Sequence, residues 1–135
     1  MDPSDKINIL LVDDNQAKRT AIEAVLQHAD YNLVKTESGR EALRQLLQNE
    51  FAVLILDVNM PEMDGWECIR RIRAQAKFKT LPILAVTAKA MKGDREKCLA
   101  AGANGYITKP VDLDQLRSLM GVWLLPIKSG GETKS

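Results

Sequence analysis

Asp13 and Asp14 follow a short apolar run at residues 7–12, and Asp57 follows another at 52–56. Thr87 closes a third run, 83–86, and Lys109 follows a fourth, 105–108. If these runs are neighbouring strands of one sheet, three carboxylates meet in one place. At ~4 Å and an effective dielectric of ~20, each like-charged pair is repulsive by about 4 kcal/mol. Such a cluster holds a proton, pairs with cations or binds a metal. Lys109 adds one positive charge, leaving a local sum of −3 + 1 = −2, which a divalent cation would cancel. All-oxygen donors with no Cys or His beside them select Mg²⁺ or Mn²⁺ over zinc. Mg²⁺ takes one or two carboxylates and completes its shell with water and phosphate oxygens. That leaves one carboxylate as a nucleophile: an aspartate attacking phosphorus gives an aspartyl phosphate, with metal and lysine neutralising the transferring oxygens. Asp57 is the best placed, because it ends the most apolar run and is followed by a loop, residues 59–65, able to carry metal ligands. Thr87 offers a hydroxyl donor to the same phosphoryl group.

The segments that must position these groups alternate between strand and helix patterns. Asn15 or Asp14 caps a helix to about Ala29, with Ile22, Val25, Leu26 and Ala29 on one face. Residues 32–36 read as a weaker strand. Ser38 with Glu41 is a capping-box pattern, and the helix it opens carries a buried stripe of Ala42, Leu43, Leu46 and Leu47. A helix bearing Cys68, Ile69 and Ile72 follows the loop after Asp57. Pro82 introduces the fourth strand, and the next helix runs to about Ala101, with Gly102 as its stop. Residues 105–108 are a short fifth strand, and Asp112 with Gln115 caps a last helix bearing Leu116, Leu119, Met120 and Trp123. Five strands alternating with five helices predict an α/β fold with a parallel sheet covered on both faces. An open, doubly wound three-layer sandwich is expected, since a closed barrel needs about eight such units. In open sheets of this kind, sites form outside the carboxyl ends of the strands, where these polar residues stand.

At 135 residues the chain has the length of one domain. A formal charge of +1 gives no basic excess of the kind that binds nucleic acid, so no direct nucleic-acid partner is expected. A hydrophobic share of 45% with 27% charged residues excludes a disordered or fibrous chain, and aromatics at 4% leave the core to Leu, Ile, Val and Ala. The longest apolar run, residues 51–56, is far short of the ~18 residues of a membrane span. With no secretory profile at the start and only Cys68 and Cys98, a cytoplasmic location is expected. Residues 1–5 and 126–135 are expected to be disordered, flanking a folded domain at 6–125.

Val12-Asp13-Asp14-Asn15, Leu56-Asp57-Val58-Asn59-Met60-Pro61 with Met63-Asp64-Gly65, Val86-Thr87-Ala88 and Thr108-Lys109-Pro110 together resemble the receiver domain of two-component response regulators, of the chemotaxis-regulator type. The stretch from Ala88 to Leu99 is similar to receivers attached to hybrid histidine kinases. The resemblance covers residues 6–125 and implies a flavodoxin-like (βα)₅ sheet in order 2-1-3-4-5. It implies that Asp57 is the phosphoacceptor, charged by a histidine kinase or histidine phosphotransfer protein, and that a downstream protein effector reads the result. It further implies that Asp14 ligates Mg²⁺ directly, Asp13 acts through water, and the backbone carbonyl of Asn59 is a further ligand. Lys109 matches the phosphate-binding lysine, with a cis peptide to Pro110, and the backbone of Ala88 falls near the phosphoryl group. Thr87 and Tyr106 match a switch pair, Thr87 moving toward the phosphoryl group and Tyr106 turning inward. Many relatives carry an acidic residue at Ala103-Asn104, where this chain has none.

Two other functions compete. A haloacid-dehalogenase-like phosphatase also uses a strand-end aspartate and Mg²⁺, but its second aspartate is replaced here by Asn59, which disfavours repeated hydrolysis. A phosphorylation-independent interaction module has no use for the complete set of polar strand ends. No enzymatic turnover is expected of this chain beyond accepting and slowly losing a phosphoryl group. Of the remaining residues, Gly65 reads as a turn glycine and His28 as a solvated surface group. Cys68, Cys98, Trp66 and Trp123 read as packing residues, and Arg70, Arg71 and Arg73 as a solvated helix face.

Overall fold

A computed structural model describes residues 7–26, 31–58, 65–87, 94–108 and 112–128. The strands are β1 (Ile7–Val12), β2 (Tyr31–Thr36), β3 (Val53–Asp57), β4 (Ile83–Thr87) and β5 (Gly105–Thr108). The helices are α1 (Gln16–Leu26), α2 (Gly39–Gln48), α3 (Gly65–Arg73), α4 (Asp94–Ala101) and α5 (Leu113–Lys128), with a 3₁₀ turn at Ala76–Phe78. All strand pairs are parallel and the sheet order is β2-β1-β3-β4-β5, as expected.

Strand alternation sorts the core into two layers. Leu10, Val12, Leu54, Leu56, Ile83 and Ala85 face α2, α3 and α4, which contribute Ala42, Leu46, Ile69, Ile72 and Cys98. Ile9, Leu11, Val53, Ile55, Leu84, Val86 and Ile107 face α1 and α5, which contribute Ile22, Leu26, Leu116 and Met120. Because β3 and β4 are covered on both faces, every residue of each is buried, which explains their unbroken apolar text.

Local chemistry sets the helix ends. Ser38 Oγ accepts from the Glu41 N–H, while Glu41 Oε1 accepts from the N–H of Glu37, one residue ahead of the cap. Asp112 Oδ1 accepts from the N–H groups of Asp114 and Gln115. Gly102 ends α4 with φ at +111°, a conformation that favours glycine.

Two expectations shift. Leu47 is 54% exposed, because it lies one helical step beyond the stripe formed by Ala42 and Leu46. α5 continues past 125 to Lys128, with Pro126 inside its last turn. His28 and the flanking segments 1–5 and 129–135 lie outside the described residues. Among the described residues no helix is long and apolar enough to cross a membrane.

Candidate functional site

The register brings the carboxyl ends of the strands level. Val12 lies beside Thr36 on one side and Leu56 on the other, Asp57 beside Val86, and Thr87 beside Thr108. Asp13, Asp14 and Asp57 therefore converge, each offering a carboxylate oxygen within 4.8 Å of the others. Asp13 and Asp57 are buried, 1% and 3% exposed, and Asp14 faces solvent. Two buried carboxylates and a third beside them make an oxygen-only donor set that fits a hard divalent cation.

Neither Asp13 nor Asp14 is the cap of α1. Asn15 takes that role, its Oδ1 accepting from the Lys18 N–H at 2.9 Å. The Asp13 N–H donates to the Thr36 carbonyl at 3.1 Å, continuing the β1–β2 ladder one residue beyond the strand. Asp13 Oδ1 accepts from the Asn15 N–H at 2.9 Å, which aims the side chain within the turn. The backbone and side chain of Asp13 are thus bonded to the strand beside it and to the turn ahead of it.

Asp57 ends β3, and the chain resumes its ladder at Val58, whose N–H donates to Val86 O at 2.9 Å. Gly65 opens α3 directly against Val58: a Cβ there would stand 2.2 Å from the Val58 Cα. The glycine expected as a turn former is therefore a contact residue that lets α3 start against the strand carrying Asp57. Thr87 is buried at 3% exposure, one residue farther along β4 than the neighbour of Asp57. Tyr106, paired with Ala85, is half-buried on the layer that holds α2, α3 and α4, and Thr87 shares that face by alternation. Asn59, Ala88, Lys109 and Pro110 lie outside the described residues.

Sequence reading overlooked two arginines. Arg19 Nη1 donates to the carbonyl oxygen of Asp13. Arg73, expected on a solvated face, donates from Nε to Gly102 O at 2.8 Å, from Nη1 to Phe78 O at 2.7 Å and from Nη2 to Asn104 Oδ1 at 2.8 Å. Asn104 Oδ1 also accepts from the Ile83 N–H at 2.8 Å, so one amide oxygen joins Arg73 to the start of β4. An arginine six residues beyond Asp13 on a capped helix was the available signal for the first; nothing local marked the second. Cys68 and Cys98 are buried free thiols, and burial pushes Cys68 up to about 11 and raises Cys98.

The response regulator receiver domain model matches residues 9–120. The sensor histidine kinase RcsC of Salmonella typhi is 35% identical over 122 residues, covering 90% of this chain, which in turn spans 13% of that kinase. The receiver domain of sensor histidine kinase PA1611 from Pseudomonas aeruginosa, solved with a magnesium ion in its active-site cleft, is 37% identical, with a TM-score of 0.78 over 88% of this chain and 98% of that one. The Saccharomyces cerevisiae Ssk1 receiver domain, solved with the histidine phosphotransfer protein Ypd1, is 26% identical, with a TM-score of 0.82 over 90% of this chain and 91% of that one. With the carboxylate cluster at the strand ends and the matching sheet order, these similarities identify the chain as a member of the response regulator receiver domain family of two-component and phosphorelay systems.

Proposed function

We propose that this chain is an aspartyl-phosphate switch in which Asp57 accepts a phosphoryl group from a phosphohistidine on a histidine kinase or histidine phosphotransfer protein. The observation that carries this reading is the convergence of Asp13, Asp14 and Asp57 within 4.8 Å. An Asp57 carboxylate oxygen attacks phosphorus, the O–P bond forms as the donor's P–N bond breaks, and the nitrogen electron pair returns to the imidazole. Asp14, Asp57 and the Asn59 carbonyl would hold Mg²⁺, with Asp13 acting through water, and the ion would offset the charge on the transferring oxygens. Lys109 would pair with a phosphoryl oxygen, the backbone of Ala88 would approach it, and the Thr87 hydroxyl would donate to it. Movement of Thr87 toward the phosphoryl group frees space for Tyr106 to turn inward, which changes the face a downstream effector reads. A bound phosphoryl group needs only to bias two states a few kcal/mol apart. The two free thiols fit a reducing, cytoplasmic compartment.

Incubation with acetyl phosphate and Mg²⁺ should add one phosphoryl group, read by intact mass. Chelating the metal, or the substitution Asp57→Asn, should abolish the addition. Metal-independent uptake, or undiminished uptake by the Asp57→Asn protein, would contradict the proposal.

A further inference from the structure

Arg19 stands in the first turns of α1 with a side chain only 12% exposed. Its guanidinium spans two strand ends: Nη1 donates to the Asp13 carbonyl oxygen after β1, and Nη2 reaches Glu37 Oε2 after β2 at 3.5 Å. The two contacts differ in weight. Glu37 is 70% exposed, and an ion pair in that setting contributes little, whereas a charged donor on a part-buried carbonyl makes a strong, directional bond.

The Asp13 carbonyl belongs to the same planar peptide unit as the Asp14 N–H. Fixing that carbonyl fixes the plane from which Asp14 departs. The bonds from the Asp13 N–H to Thr36 and from the Asn15 N–H to Asp13 Oδ1 act on either side of this plane, whereas Arg19 acts on the plane itself. We infer that Arg19 is a positioning residue: by holding the peptide between Asp13 and Asp14 it sets the direction of both carboxylates toward Asp57 and so tunes the affinity of the site for a divalent cation. Arginine suits the task because its rigid fork serves two divergent acceptors at once, which a lysine ammonium does less well. The inference rests on the Mg²⁺ reading of the acidic cluster.

The test uses Arg19→Ala, Arg19→Lys and Glu37→Gln in the full chain. It measures Mg²⁺ affinity by calorimetric titration, amide exchange at Asn15 in metal-free protein, and urea unfolding. Arg19→Ala should weaken Mg²⁺ binding roughly tenfold, the low end for loss of a group that orients metal ligands, and should speed exchange at the Asn15 amide. Arg19→Lys should weaken binding about threefold, and Glu37→Gln less than about twofold. Wild-type affinity in a folded Arg19→Ala protein overturns the inference. So does a Glu37→Gln loss equal to that of Arg19→Ala, which would place the effect on β2. Should Arg19→Ala fail to fold, Arg19→Lys decides, and unchanged affinity there overturns the claim. If the wild-type protein binds no Mg²⁺, the metal reading falls by itself. The positioning role then rests on metal-free exchange: acceleration at Asn15 supports it and unchanged exchange overturns it.

Discussion

Asp57 sits 3% exposed beside two other carboxylates, an arrangement that opposes folding until a cation or phosphoryl chemistry makes use of it. Replacing it with asparagine keeps the shape and removes one charge of the cluster. Asp57→Asn is expected to be more stable than wild type by about 1 kcal/mol in metal-free buffer, seen as a higher urea midpoint. Added Mg²⁺ should narrow the gap, because binding stabilises the protein whose site is intact. A less stable Asp57→Asn protein in chelator would show that the cluster is not repulsive. A second single-residue effect concerns pH. Burial raises Cys68 to about 11, above its ordinary thiol value, so the folded protein keeps a proton that the unfolded chain releases first. The associated stability is fully present below about pH 9 and is lost as pH rises toward 11, amounting to at most about 3 kcal/mol. Urea midpoints between pH 8 and 10.5 should fall more steeply for wild type than for Cys68→Ala; parallel profiles would contradict this.

At the scale of elements, Arg73 ties the end of α3 to the turn before β4 and to the α4–β5 connection through four acceptors, Phe78 O, Lys79 O, Gly102 O and Asn104 Oδ1. Arg71 and Arg70 instead share half-exposed Glu67 at 3.2 and 3.1 Å, hold its carboxyl below the usual range, and contribute little. Arg73→Ala should therefore destabilise the protein by about 2–3 kcal/mol in urea unfolding, while Arg71→Ala changes it by less than about 0.5 kcal/mol. Equal effects would mean that the clasp is not what joins these elements. The contrast explains how far the sequence could be read. Ser38 with Glu41 and Asp112 with Gln115 are local patterns, and both caps formed where the spacing put them. β5 begins and ends at the residues expected, between Asn104 and Lys109. Arg73 was indistinguishable from its neighbours because its partners lie up to 31 residues away and exist only once β4 and β5 are paired. Asn15 and Asp14 are both good caps by type, and only the turn geometry assigns the role to Asn15. The strand-end aspartates were legible because a parallel α/β sheet gathers such residues whatever the details of packing.

As a whole molecule, the chain is one doubly wound sheet whose two apolar layers hold a polar edge in place. An overall charge of +1 hides that edge, where three carboxylates lie together. On the proposed function, the packed layers would hold this edge as a receptor for a phosphoryl group, and half-buried Tyr106 on β5 would report its arrival. On the proposed function, Asp57 carries the phosphoryl group. Borohydride reduces an aspartyl phosphate to homoserine, which leaves a permanent mark on the residue that was phosphorylated. After phosphorylation in Mg²⁺ and reduction, peptide mapping should find homoserine at position 57 and at no other aspartate. Homoserine at position 13 or 14, or none anywhere despite phosphoryl uptake, would rule out Asp57 as the phosphoacceptor.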